Sequence, residues 1–270
     1  MGKYIGEALE SVGKQTYENW EVIAVDDCGP EDGTKEILES FAAEHLKHRV
    51  EFIRMPENRG VSAARNAGIH AAEGEFLAFL DPDDFWGPSY LISHIEELKS
   101  HDHITASYTD ARKITEDGTV TGQLQGPDDE EHQGLPESLY WRNFINTSTV
   151  VARKDSVIAC GGFDEAPEIQ HVEDWDLWLR MMDEGMKFNY TPAAESFYRQ
   201  HPGASTDDLA AAKEREAALR RKHSELLERY NRVLLFVTRR RMEQLEGKQQ
   251  AYEGSVFFRA GQIISRFFGR

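Results

Sequence analysis

Cysteine is nearly absent: Cys28 and Cys160 are the only two in 270 residues, far apart and without CxxC spacing. That excludes a disulfide framework and a thiolate zinc site, and it fits a reducing cytoplasm. No run of about 18 apolar residues occurs, so no membrane-spanning helix is expected. The opening MGKYIGEALES lacks the basic and apolar blocks of a signal peptide, which argues against export. Basic residues are few, 31 Lys and Arg against 48 Asp and Glu, for a net charge of −17. A surface of that sign repels phosphate backbones, so nucleic acid is not an expected partner. Repeats and low-complexity stretches are also missing. What is present, 40% apolar and 29% charged residues, describes a soluble globular chain of one large domain, alone or with an appendage.

The charge is unevenly spread. Residues 207–270 carry 14 Lys and Arg against 9 Asp and Glu, a net of +5, which leaves −22 for residues 1–206. This shift divides the chain into a domain over 1–206 and a helical, basic C-terminal extension over 207–270. The extension is rich in strong helix formers and has no proline, so one or two long helices are expected. Its last stretch, SVFFRAGQIISRFFGR, sets Phe257, Ile263, Ile264 and Phe268 beside Arg259, Arg266 and Arg270. Such a basic amphipathic helix suits either peripheral contact with the inner face of a membrane or packing on its own domain or a partner helix, as in a dimer.

Over the first 206 residues, strands alternate with helices. The runs EVIAVDD, VEFIRM and EFLAFLD read as buried strands, and Thr34 to Leu46 and Val61 to Ala72 as the helices between them. That rhythm predicts an α/β fold with a mainly parallel sheet flanked by helices. Later segments are more varied. ITEDGTVTG, with Asp117-Gly118 at its centre, suggests a hairpin, and ITASYTD, NTSTVVAR and ESFYRQ are further strand candidates, so the sheet has a mixed edge. EDWDLWLRMMDEG is an amphipathic helix ended by Gly185.

In open α/β sheets, ligands bind beyond the carboxyl ends of the strands, and acids gather there in this sequence. Asp26 and Asp27 close the first strand, where turn formation or helix capping would also explain them. Asp81, Asp83 and Asp84 follow FLAFL as DPDD. Three carboxylates this close repel one another unless a cation sits among them, and such oxygen ligands suit Mg²⁺ or Mn²⁺; a solvated capped turn is the alternative. Arg65 is an isolated cation near the same edge, open to a salt bridge or a phosphate contact. Glu173 and Asp174 begin a helix, where the dipole alone favours acids. Flanking Trp175 and Trp178, however, can desolvate a carboxylate and make it a general base. Arg199 and His201, two apart on a strand, share one face and suit a diphosphate, a metal or simply the surface.

Taken in order, EALESVGKQTYENWEVIAVDD, ENRGVSAARNAGI, GEFLAFLDPDDFW, GGFDE, EDWDLWLRM and YRQHPGAS resemble the family 2 glycosyltransferases of GT-A (Rossmann-like) fold, over residues 2 to about 206. The resemblance implies transfer of a sugar from a nucleotide-diphosphate donor to a glycan or lipid-linked acceptor hydroxyl, with inversion and with Mn²⁺ or Mg²⁺. It implies Asp27 as the residue reading the nucleotide base, with Arg65, Asp81 and Arg199 on the donor side. Asp81, Asp83 and Asp84, with His201, are implied as the metal site, and Asp174, beside Glu173, as the catalytic base. It also implies a departure. The family's first strand, of the type SVIIPTYN, has no counterpart ahead of the helix that begins near Lys3, so the domain is expected to be N-terminally truncated and its donor binding weakened. A non-catalytic descendant that binds nucleotide or glycan is therefore the second expectation. A sugar nucleotidyltransferase ranks third, for want of a glycine-rich phosphate loop near the N-terminus.

Overall fold

A computed structural model describes residues 2–201, 209–226, 228 and 229. The chain divides into two compact units, Met1–Lys222 and His223–Arg270. The amphipathic stretch expected over 255–270 lies outside the described residues.

The N-terminal unit opens with α1 (Ile5–Gly13), β1 (Val22–Asp26), α2 (Thr34–Glu44), β2 (Val50–Arg54), α3 (Val61–Ala71) and β3 (Phe76–Ala78), the expected alternation. Next come β4 (Phe85–Trp86), α4 (Tyr90–Ser100), β5 (Ile104–Tyr108), β6 (Ala111–Ile114), β7 (Val120–Gln125), α5 (Asp129–Gln133) and α6 (Glu137–Trp141). A 3₁₀ turn, Thr147–Thr149, leads into β8 (Val150–Arg153) and α7 (Lys154–Ala159). The unit closes with α8 (Glu173–Asp183), β9 (Lys187–Tyr190), β10 (Ser196–Arg199) and α9 (Leu209–Lys222).

These strands form three sheets rather than the single sheet that the rhythm predicts. β1 and β2 pair in parallel by themselves. A second sheet runs β3-β8-β5-β9 and a third β4-β10-β6-β7, both mixed. The expected hairpin is β6–β7, antiparallel, with Gly118 at φ +87° in its turn. β1 and β3 are each paired on one side only among the described residues, so strands that read as buried are not. All five residues of β1 are half-buried, and in β3 only Leu77 is fully buried while Ala78 is exposed.

Two apolar clusters lie beneath the helices: Ile5, Leu9, Leu38 and Phe41 between α1 and α2, and a larger one around Trp86, Tyr90, Leu91 and Leu98. Helix α8 is the best-anchored element. Trp175, Leu177, Trp178, Leu179, Met181 and Met182 are buried. The indole N–H of Trp175 donates to Leu139 O at 2.7 Å and that of Trp178 to Ile145 O at 3.2 Å. Each large ring removed from such packing would cost roughly 3 to 5 kcal/mol, so the start of α8, which carries Glu173 and Asp174, is rigidly placed.

Candidate active site

The turn after β1 is held by its own acids. Asp26 pairs with Arg54 at 2.7 Å. The Asp27 carboxylate accepts from the backbone N–H groups of Arg59 at 2.8 Å and Gly60 at 2.6 Å, where the chain enters α3. Asp27 thus ties the end of β1 to the start of the helix that carries Arg65.

Arg65 lies between the two acidic motifs. One nitrogen reaches Asp81 at 2.7 Å and another Glu173 at 2.5 Å, with Phe163 under the guanidinium at 5.3 Å. Burial works against its charge, but the carboxylates of Asp81, then Glu173, more than offset this and raise its pKa. Phe163 is itself set by α3. Asn66 bonds both its O and its N–H, and Gly162, at φ +70°, has no room for a Cβ, which would fall 2.6 Å from Asn66 Oδ1.

The DPDD loop splits into a front and a back. The Asp81 side chain is about one-third exposed, and its backbone N–H donates to Ser148 Oγ at 3.1 Å. Asp83 faces His201, with Oδ2 and Nε2 3.0 Å apart. Asp84, at 2% exposure, lies beneath the loop and accepts from Arg199 N at 3.0 Å. Burial, then the neighbouring Asp81 charge, pushes its pKa well up. Arg199 is spent on structure: its guanidinium binds Asp83 O, Glu116 O and the Glu7 carboxylate. It anchors the loop from behind, with its charge already matched.

Asp174 has three donors. Asn143 Nδ2 at 3.2 Å and the Trp175 N–H at 2.7 Å reach Oδ1, and Thr147 Oγ1 reaches Oδ2 at 3.1 Å. Even so, burial, then the like charge of Glu173, pushes its pKa up to about 7, against the pull of Arg65. A carboxylate of that basicity can take a proton from a hydroxyl at neutral pH. Replacing Thr147 with valine removes a bond that stabilises the ionised form. The alkaline-rising limb of the rate profile should then move to higher pH with less than about a tenfold loss at its plateau, measured as kcat/KM against pH.

The structure therefore joins Asp81, Arg65 and Glu173 directly, with Asp174 next to Glu173 in α8 and Asp27 tied only to the start of α3; Asp83 and His201 face each other on the DPDD side, and Asp84 and Arg199 lie behind that loop. Sequence reasoning missed Asn143, Thr147 and Ser148. The run INTSTVV carried the only signal, an Asn146 side chain capping Ser148 N at 2.9 Å, which marks a turn before the strand.

As ligands, Asp81, Asp83 and His201 supply two carboxylates and an imidazole, a donor set suited to a hard or borderline divalent ion that keeps open positions. Among the described residues no group of three or more such side chains forms a ready-made cage. A cation held by these side chains would keep positions open for a ligand's own oxygens.

Residues 2–161 match the model of glycosyl transferase family 2. The chain belongs to that family. The match spans Asp27, Arg65 and the DPDD loop; the α8 acids, Arg199 and His201 lie beyond it. Over 191 residues the chain is 30% identical to TuaG of Bacillus subtilis, named for teichuronic acid biosynthesis, covering 67% of this chain and 68% of that one. It is 29% identical over 198 residues to WfaP of Escherichia coli, covering 73% and 72%. WfaP is named as a UDP-Glc:α-D-GlcNAc-diphosphoundecaprenol β-1,3-glucosyltransferase. In fold it is similar to the mannosyltransferase PcManGT of Pyrobaculum calidifontis, solved with GDP-Man and Mn²⁺, at a TM-score of 0.59 and 17% identity. That match covers 76% of this chain and 55% of PcManGT, so the chain spans about half of that structure. The fold is thus of GT-A type, as the motif order implied.

Proposed function

We propose that this family 2 member transfers a sugar from a nucleoside-diphosphate donor to an acceptor hydroxyl with inversion, in the synthesis of a polysaccharide, glycolipid or glycoprotein glycan. The observation that carries the reading is the Asp81–Arg65–Glu173 bridge. It holds the donor-side loop against the start of α8, so that a basic carboxylate, Asp174, stands beside the acids that suit a diphosphate-bound cation.

On this reading Asp27 orders the turn that meets the nucleotide, and Asp81, Asp83 and His201 would hold Mn²⁺ or Mg²⁺. When bound, that ion supplies Lewis-acid stabilisation of the departing diphosphate. Asp174 takes the acceptor hydroxyl proton as the new glycosidic C–O bond forms and the bond to the diphosphate oxygen breaks, in one displacement without a covalent enzyme intermediate. Arg65 keeps Glu173 and Asp81 compensated throughout. The likeness to WfaP supports a lipid-linked diphosphate acceptor, and the basic residues of 207–270 would suit the anionic surface where such lipids reside. Among the described residues no helix is long and apolar enough to cross a membrane.

One observation favours the competing reading, a non-catalytic binder: the open space between β1 and β3. Calorimetric titration with UDP, GDP and TDP, with and without Mn²⁺, tests the donor site directly. Binding to one nucleotide that strengthens with Mn²⁺, and a loss of at least about tenfold of that enhancement in Asp83→Ala, is the expected result. No binding to any of them by folded protein would overturn the donor-site proposal.

A further inference from the structure

Helix α9 reaches the residues that follow Asp174 in the chain. The Arg220 guanidinium lies over the Trp175 ring, 5.4 Å from its centroid. It also donates to Tyr140 O at 3.2 Å and Trp141 O at 2.7 Å, at the end of α6, where a helix runs out of donors of its own. Glu216, one turn earlier in α9, accepts from Arg220 Nε at 2.8 Å and orients it. Lys222 pairs with Asp176 at 2.6 Å and with Asp164 in the loop between α7 and α8. Asp176 is fully buried and also pairs with Arg180 at 2.8 Å, so Lys222 helps to compensate a charge that would otherwise weigh on the start of α8. The neighbouring Leu219 is buried as well, which seats this turn of α9.

These contacts bracket Asp174. Arg65 holds Glu173, Arg220 covers Trp175 and Lys222 holds Asp176. The elements that Arg220 joins are also the ones that feed Asp174 Oδ1. Trp175 donates its backbone N–H at 2.7 Å, and Asn143, which follows closely on Trp141, donates its amide at 3.2 Å. We infer that Arg220 and Lys222 are positioning residues for Asp174, with α9 clamping the first turn of α8 to the end of α6 so that both donors stay on one carboxylate oxygen. The inference rests on the proposed transfer, in which Asp174 takes the acceptor proton. It assigns α9, which the charge of the sequence groups with a basic appendage, to the catalytic unit. Both cations act through the ring, carbonyls and carboxylates that they hold, so their effect is on geometry. A displacement of about 1 Å at a reacting group costs on the order of 10²-fold in rate.

The test uses Arg220→Ala, Arg220→Lys and Lys222→Met in the full chain. Each is assayed for kcat, as nucleoside diphosphate release from the donor whose nucleotide the calorimetric titration selects, and for the affinity of that nucleotide. Arg220→Ala should lower kcat at least about 30-fold with nucleotide affinity within about twofold. Lys222→Met should show the same split with a loss of about tenfold. Arg220→Lys keeps the charge and can still reach one carbonyl, and should regain at least about fivefold of the loss. In an Asn143→Ala background, Arg220→Ala should cost less than about fivefold, because one of the donors that it places is already gone. A merely stabilising Arg220 would lower the thermal midpoint alone, or lower kcat by the same factor with and without Asn143, and either result overturns the inference. Amide exchange supplies a readout without substrate: Arg220→Ala should speed exchange of the Trp175 N–H at least about tenfold and leave Ala106–Tyr108 of β5 unchanged. Unchanged exchange at Trp175 would also overturn the clamp. A parent chain that transfers nothing yet shows this change in exchange would overturn the proposed activity and leave the clamp standing, so the two failures are distinguishable.

Discussion

Replacing Asp174 with asparagine is expected to lower kcat at least about 10³-fold while donor affinity stays within about twofold, because the change removes proton acceptance and little else. The amide can still accept at Oδ1 from Trp175 N and Asn143, and Thr147 can turn its hydroxyl to accept from the new NH₂. Stability should change in the opposite sense. The folded-state pKa of Asp174, about 7, lies above the ordinary carboxylate value. The folded protein therefore holds a proton that the unfolded chain releases, and stability falls as pH rises from about 4 to about 7. The asparagine variant escapes that fall. Its thermal midpoint should match the parent at pH 4 and exceed it at pH 8, read by calorimetry beside the rate. A variant with lowered midpoints at both pH values would mean that Asp174 is an architectural carboxylate rather than a strained base.

Arg65→Ala is expected to produce the largest loss of stability, about 3 kcal/mol, seen as a midpoint lowered by roughly 8 °C. The reason is the company left behind. Glu173 is 4% exposed and Asp81 stands across from it, so removing the guanidinium strands one buried carboxylate and frees a second beside Asp83 and Asp84. The same loss removes the cation that holds the Asp174 pKa down, so residual activity should appear only at higher pH than in the parent. Arg65→Lys keeps the charge but not the fork that reaches both acids, and should recover part of the midpoint with little of the rate. Full stability in Arg65→Ala would show that the bridge does not hold the two motifs together.

The acids were legible in the sequence because each follows a short apolar strand or opens an amphipathic helix, where charge needs a reason. Arg65 stood out for the same cause, as one cation among alanines. Their arrangement was not legible. Nothing in the spacing told the front of DPDD from its back, and Asp84 turns inward because Arg199 N and the neighbouring core take it. Arg199 and His201 share the face that their spacing implied, but Arg199 meets Glu7 and two carbonyls there, long-range partners that no local pattern reveals. Asn143 and Thr147 were invisible because a polar residue in a loop has many ordinary explanations. Helices α2, α3 and α8 were read nearly to their ends, and α4 to α7 were not read at all. The division into three sheets was not read either, since strand pairing is decided by chain segments distant in sequence, and β1 and β3 meet a cavity where the rhythm of the sequence implies neighbours.

The proposed transfer turns on a carboxylate, Asp174, made basic by burial beside Glu173 and placed against the donor loop by Arg65. The pH dependence of kcat/KM, followed as nucleoside diphosphate release from the donor that the titration identifies, tests this most directly. A rate that rises with pH through an apparent pKa near 7 is the predicted result. A rate level between pH 5 and 8 would contradict it.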